Sequence, residues 1–152
     1  MSCPTSGRLL GVDWGERRIG LALSDESQIL AQPLATVTRR PGKRPPMAAL
    51  LAHLAGHGVV GVVVGLPLDG EGREGNAALQ ARALATALGR RGGVPADLWD
   101  ERMTTARALR TVRELGGTTR GRKADVDQLA AAVLLQHYLD ARRHRRTEED
   151  GA

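Results

Sequence analysis

The sequence predicts an α/β domain built on a mixed five-stranded sheet: an antiparallel three-strand meander continued by parallel strands, with helices on both faces. Three observations lead there. The first forty residues hold three short apolar runs joined by tight connections, the mark of a meander. Residues 59–64, Val-Val-Gly-Val-Val-Val, are apolar without alternation, as in a strand covered on both faces. The segments around that strand carry apolar residues at helical spacing. The order is therefore βββ-α-β-α-β-α-α, and βα units following a meander give a mixed sheet with helices on its faces.

Residues 1–6 read as a flexible tail, residues 7–141 as one domain and residues 142–152 as a flexible charged tail. The first strand spans residues 8–12 and ends at Asp13 and the Gly15 turn. In the second, 18–24, Ile19, Leu21 and Leu23 alternate with Gly20, Ala22 and Ser24, giving one bulky face and one small face. The small face suits close approach by a helix or a substrate backbone. The third strand, 28–37, is broken near Pro33, which fits an edge or a bulge. A basic, Pro-rich loop follows at 38–46. Leu50, Leu51 and Leu54 mark a helix over 47–57, closed by Gly56 and Gly58. After the 59–64 strand, residues 65–75 form a Gly-rich loop, which we read as a flap beside the substrate. Ala77, Ala81, Leu84 and Leu88 form the stripe of a helix over 76–90. Residues 94–99 make a last strand, and Thr104 or Thr105 can N-cap a helix to about residue 115. The final helix is predicted over 126–142, with Val126, Ala130, Val133, Leu134 and His137 inward.

The chain has 152 residues, 41% hydrophobic and 26% charged, the balance of a globular protein with one core. Lys and Arg number 22 against 17 acids, a net charge of +5, which favours an anionic partner, nucleic acid first. Two Trp, one Tyr and no Phe are too few for a single-strand binder that stacks successive bases. Binding should therefore go mainly to phosphates and shape. One Cys excludes a disulfide framework and a Cys-type zinc site. No apolar run approaches the ~20 residues that span a bilayer, and the N-terminus has no signal-peptide pattern. A cytoplasmic protein without a membrane partner is expected.

Three acids sit where chemistry can use them: Asp13 at the end of the first strand, Glu101 at the end of the last, and Asp127 or Asp125 at the start of the last helix. Two carboxylates ~4 Å apart repel by roughly 4 kcal/mol at an effective dielectric near 20, so such a group must hold a proton, a cationic side chain or a hard divalent ion. Oxygen-only ligation suits Mg²⁺ or Mn²⁺. Two such ions can activate water and stabilise the leaving oxygen of a phosphodiester. Each acid also has an ordinary structural role open to it: turn formation for Asp13, a surface ion pair for Glu101, helix-dipole stabilisation for Asp125 and Asp127. Asp127 has Ala130 and Ala131 beside it, small enough for close docking on the sheet, and is preferred over Asp125. Gly65 and Gly70 have P-loop spacing, but Glu71 stands in place of the required Lys.

In order, residues 11–25 (Gly-Val-Asp-Trp-Gly-Glu-Arg-Arg-Ile-Gly-Leu-Ala-Leu-Ser-Asp), 63–68 with Gly72 and Glu74-Gly75, 100–105, and 123 to 140 with Val126-Asp127-Gln128-Leu129-Ala130-Ala131 resemble the YqgF family, also called RuvX, of Holliday-junction-resolvase-like proteins. The resemblance covers about residues 8–140. It implies a ribonuclease-H-like fold and a divalent-metal-dependent nuclease, with Asp13, Glu101 and Asp127 as both catalytic residues and ligands of Mg²⁺ or Mn²⁺. It further implies a role in maturing the 5′ end of pre-16S ribosomal RNA or, by fold, in cutting four-way DNA junctions. Glu16 stands where the family usually has Thr, and Arg107 where an acid is common. Arg17, Arg18, Arg102 and Lys123 flank the three acids in sequence and are the candidate phosphate contacts. A non-catalytic nucleic-acid-binding factor in ribosome assembly is the alternative from another class. An actin-like nucleotide binder needs two domains, more than this chain holds. The sequence leaves monomer against homodimer open.

Overall fold

The centre of the sheet is β1 (Leu9–Trp14), every residue of which is buried. On one side it pairs antiparallel with β2 (Arg18–Ser24), which pairs antiparallel with β3 (Ala31–Thr38). On the other it pairs parallel with β4 (Gly61–Leu66), which pairs parallel with β5 (Ala96–Asp100). The strand order is β3-β2-β1-β4-β5, the mixed five-stranded sheet that the sequence predicts. The computed structural model describes residues 2–40, 43–104 and 123–150, with the backbone only for residues 103, 123–125 and 150.

Helices cover both faces. α1 (Met47–Gly56) and α2 (Asn76–Gly92) lie on one, where Leu50, Leu54, Leu84 and Leu88 meet Leu10, Val12, Ile19, Leu21, Val62 and Val64. α3 (Lys123–Asp150) lies on the other, where Ala131, Leu135, Tyr138 and Leu139 meet Leu9, Ala22 and Val63. A strand alternates its side chains between faces, so β1 and β4 feed both cores and must be apolar throughout.

The small face of β2 does what its composition suggests. A Cβ on Gly20 would run into the Asp127 carbonyl at the start of α3, and one on Gly11 would lie 2.9 Å from Leu135 Cβ. Pro33 lies in β3, the edge strand, at a bulge: Leu21 pairs with Ala35 but Ala22 with Pro33, and the missing proline N–H is tolerated there. α2 ends at Gly93, whose φ of 68° places it in the left-handed region that favours glycine.

Several boundaries differ from the sequence reading. β4 starts at Gly61 and runs on through Leu66 because β5 pairs with it to its end, Leu66 opposite Asp100. In α2 the buried stripe is Ala78, Ala81, Leu84, Ala85 and Leu88, and Ala77 is exposed. In α3, Leu135, Tyr138 and Leu139 are buried, whereas Val126, Val133 and His137 are half-exposed. The helix is turned a step relative to the expectation because Asp127, Ala131 and Leu135 face the glycines of β1 and β2. The predicted helix from residue 104 or 105 to about 115, and Arg107 with it, lie outside the described residues.

Cys3 is buried, its thiol near the Val62 carbonyl, and its main-chain N–H donates to Asp97 Oδ2. Tyr138 donates to the same carboxylate oxygen. Arg142 donates to the carbonyls of Cys3 and Pro4, so α3 continues past residue 141 and clamps the N-terminus. Its last turns carry a His144–Glu148 pair at i,i+4, a helical spacing.

Gly20→Ala is expected to destabilise the fold by about 3 kcal/mol or more, because the obstacle is helix backbone that cannot retreat. Gly56→Ala, with nothing within 4 Å of the added carbon, should stay within about 0.5 kcal/mol. Urea denaturation of the two variants checks the contrast. Burial pushes the Cys3 thiol up to about 11, so it is protonated at pH 8. Its reaction with a thiol reagent there should be slow in the native protein and fast once urea unfolds it.

Candidate functional site

Three of the predicted residues come to one side of the sheet. Asp13 is the fifth residue of β1 and shares the α3 face with Gly11, two positions before it. Its partner across β2 is Gly20. On the β4 side, Gly65 lies one residue beyond the Val12–Val64 pair. Asp13 therefore sits between two glycines, and each admits another acid. The backbone of Asp127 packs on Gly20, and Glu101 Oε1 lies 2.7 Å from where a Cβ of Gly65 would be. Asp13, Glu101 and Asp127 are 2%, 1% and 1% exposed. Carboxylates are almost never buried to this degree without charge or hydrogen-bond compensation.

Local sequence explains each placement. β1 and β5 are parallel to β4 and end at the same edge of the sheet, so Asp13 and Glu101 emerge together. Glu101 opens a single 3₁₀ turn (Glu101–Met103) that Asp100 caps by accepting the Arg102 N–H at 2.9 Å. Asp127 lies in the second turn of α3 and packs its backbone on Gly20; the side chain of Asp125 lies outside the described residues. Arg18, the first residue of β2, donates from Nε to Asp127 Oδ2 at 2.9 Å. The guanidinium thus supplies one counter-charge from within the chain.

The other cations separate into groups. Arg17 is exposed on the turn after Asp13. Arg102 is held by Asp100, which with Asp69 keeps its guanidinium protonated more firmly than usual. The Lys123 side chain lies outside the described residues, though its backbone begins α3. The 65–75 loop, expected as a flap, folds on itself: Leu68 bridges Glu74, and Asp69 Oδ1 accepts the N–H groups of Glu71 and Arg73. Those bonds hold the Asp69 carboxyl below its ordinary range.

Sequence reasoning missed Arg39. It follows β3, its N–H donates to the Arg17 carbonyl at 2.8 Å and its Nη1 to the Gly15 carbonyl at 3.3 Å, and its guanidinium lies over the Trp14 ring at 3.9 Å. It pins the turn that follows Asp13. The basic loop in which it stands reads as solvated surface, and nothing in the local pattern marks it as buried. Glu16 places its charge near this guanidinium.

Donors of this kind suit a hard divalent cation: oxygen-only, anionic and gathered on one side, with the space at Gly65 filled by a carboxylate rather than a side-chain carbon. Among the described residues no three His, Cys, Asp or Glu side chains stand close enough to enclose an ion, and Arg18 holds one oxygen of Asp127.

The sheet order and α3 packing over it define a ribonuclease-H-like fold of the RuvC resolvase type. Aligned on a solved RuvC of T. thermophilus in complex with Holliday junction substrate, the chain gives a TM-score of 0.56 at 18% identity, covering 90% of this chain and 95% of that one. A second Thermus thermophilus RuvC structure gives 0.53 at 21% identity. The chain belongs to the RuvX family, described as Holliday junction resolvase, whose model matches residues 7–141. Among its relatives, one from Anaeromyxobacter sp. (strain Fw109-5) is 45% identical over 135 residues, covering 89% of this chain and 98% of that protein. One from Mycolicibacterium paratuberculosis (strain ATCC BAA-968 / K-10) is 46% identical over 143 residues, covering 92% of this chain and 84% of that protein. Both carry the name "Putative pre-16S rRNA nuclease".

On the reading of Glu101 as a divalent-ion ligand, Gly65→Ala is expected to push its carboxylate aside and weaken Mn²⁺ binding by roughly tenfold or more, as changes beside metal ligands do. The melting temperature should hardly move, since the obstacle is the end of a side chain. Calorimetric titration with Mn²⁺ and a thermal melt check both.

Proposed function

We propose that this chain is a divalent-metal-dependent nuclease that trims the 5′ end of pre-16S ribosomal RNA, acting in the cytoplasm. The observation that carries the reading is the buried group of Asp13, Glu101 and Asp127 around two glycines, in a chain matching relatives of that name over nearly their whole length. The compartment follows from the substrate in the relatives' name.

Asp13, Glu101 and Asp127 would hold Mg²⁺ or Mn²⁺, two ions between them. Such ions supply positive charge against the phosphate oxygens and a water acidic enough to attack at neutral pH. The protein does the rest. Asp13 lies on the central, fully buried strand of the sheet, which fixes the centre of the site. Arg18 binds Asp127 Oδ2 and orients it, and an approaching phosphate meets the same guanidinium. Arg17 and Lys123 add phosphate contacts that position a strand without reading its sequence. Arg102, tied to Asp100, holds the Glu101 turn and reaches the substrate only by leaving that pair.

A second reading, cleavage of four-way DNA junctions, is favoured by the family's description. Paired symmetric cuts would need two copies of the chain related by a two-fold axis.

A panel of a pre-16S rRNA fragment, a four-way DNA junction and single-stranded RNA and DNA separates the readings. Each is incubated with Mg²⁺, Mn²⁺ or EDTA. The expected result is cleavage of the rRNA fragment at its 5′ side, abolished by EDTA, by Asp13→Asn and by Asp127→Asn but not by Asp125→Asn. Cleavage that survives EDTA or Asp13→Asn rules out the three-carboxylate mechanism. Preferential cutting of the junction favours the second reading. Binding without cutting, unchanged in Asp13→Asn, indicates a non-catalytic assembly factor.

A further inference from the structure

On the sheet face opposite the carboxylates, a cavity of about 500 Å³ opens between α2, the start of α1 and the loop after β3. Four cations line it: Arg39, Lys43, Arg44 and Arg91. No carboxylate is among its described lining residues. Arg39 is 9% exposed, and among the described residues its guanidinium makes two long hydrogen bonds, to the carbonyls of Gly15 at 3.3 Å and Lys43 at 3.4 Å. Its buried Nε has no hydrogen-bond partner, and no ion pair to it is found among the described residues. Burial makes its charged form costlier than usual, and the charge of Glu16 opposes that only in part. Among the described residues a guanidinium so deeply placed has carbonyls and an indole face for direct company and the Glu16 charge only through space, short of the paired anion that such a group normally holds.

The rest of the cavity is shaped for a flat ring. Its wall on α2 is made by Ala83 and Ala87, one turn apart, with Leu84 and Met47 behind them. Small side chains at i,i+4 leave a level surface. Gln80 stands on the same wall, and its Oε1 accepts the Trp14 indole N–H at 3.3 Å. That bond fixes the amide orientation and leaves its N–H₂ able to donate to the edge of a bound ring. The volume lies within the range for sites that enclose a nucleotide-sized ligand.

We propose that this cavity binds a nucleoside 5′-phosphate, with the base on the α2 wall beside Gln80 and the phosphate on Arg39 and the three cations at the rim. The nucleotide can be free or the phosphorylated end of a strand, since the chemistry recognised is the same. Trp14 forms part of the lining and follows Asp13 in the chain, while Arg39 pins the Gly15–Arg17 turn. An occupied pocket is thus in direct contact with the segment that carries the first carboxylate. The assignment does not depend on the nuclease reading, and the two fail separately.

The test is calorimetric titration of the full chain in EDTA with 5′-AMP, adenosine and inorganic phosphate. We expect AMP to bind, and adenosine and phosphate each to bind at least about tenfold more weakly. Ala83→Trp, which fills the cavity from an exposed helix position, and Arg91→Glu, at its rim, should each weaken AMP at least about tenfold with an unchanged melting temperature. Asp13→Asn should bind AMP as the parent does. A tetraadenylate carrying a 5′-phosphate that binds as tightly as AMP, while its 5′-hydroxyl form does not, identifies the strand end as the source. AMP binding without binding of either oligonucleotide identifies the free nucleotide. The proposal is overturned if AMP does not bind, if phosphate alone binds as tightly, if Ala83→Trp leaves binding intact, or if Asp13→Asn removes it.

Discussion

The structure depends on Asp13, a carboxylate buried in the middle strand of its own sheet. A charge there is tolerable only if cations or donors reach it, and the sheet leaves room on both sides of it. Gly20 and Gly65 flank Asp13 on either side and leave open the space that two side chains would fill. Asp127 and Glu101 take that space. The result concentrates negative charge where apolar packing would be the easier choice, and the chain offsets part of it with Arg18 on Asp127. Grouped buried carboxylates are a poor way to stabilise a fold, and groups of this kind cluster at functional sites.

Alternation along β1 extends this constraint to the opposite face. Asp13 and Trp14 are neighbours in sequence and point to opposite faces of the sheet. One ends among the acids under α3, the other among Leu84, Met47 and Arg39 beside α2. The turn after them is held by the second face: Arg39 binds the carbonyls of both Gly15 and Arg17. The two faces therefore share one mechanical element, about three residues long, next to the candidate site. Glu16 lies in that element and acts on Arg39 through its charge.

α3 has a double task. Its first turns carry Asp127 to Gly20, and its last turns hold down the N-terminus through Arg142, Tyr138 and their bonds to Cys3, Pro4 and Asp97. Fixing both ends of a long helix restrains its slide along the sheet. A shift of one residue would rotate Asp127 by about 100° away from Gly20. The placement of a candidate functional residue near residue 127 is thus supported by packing some fifteen residues further along.

The sequence by itself determined the elements and their faces. Alternation in residues 18–24, the unbroken apolar run at 59–64 and the Ala/Leu stripe of α2 are local periodicities, and local periodicity follows from backbone geometry. It also determined the three acids as candidates, because an acid at a strand end or a helix start is visible against an apolar neighbour. The tertiary structure decided what those acids meet. The Arg18–Asp127 pair spans 109 residues and the Trp99–His137 bond 38, and no local pattern encodes which distant residue arrives. The glycines show the same division: Gly20 and Gly65 read as small residues in strands, and only packing reveals that they are the space in which Asp127 and Glu101 sit. Arg39 is the strongest case. In its basic loop it reads as solvated charge, and it is buried because the fold closes Trp14 and α2 around it, a consequence of assembly that the chain nowhere spells out locally.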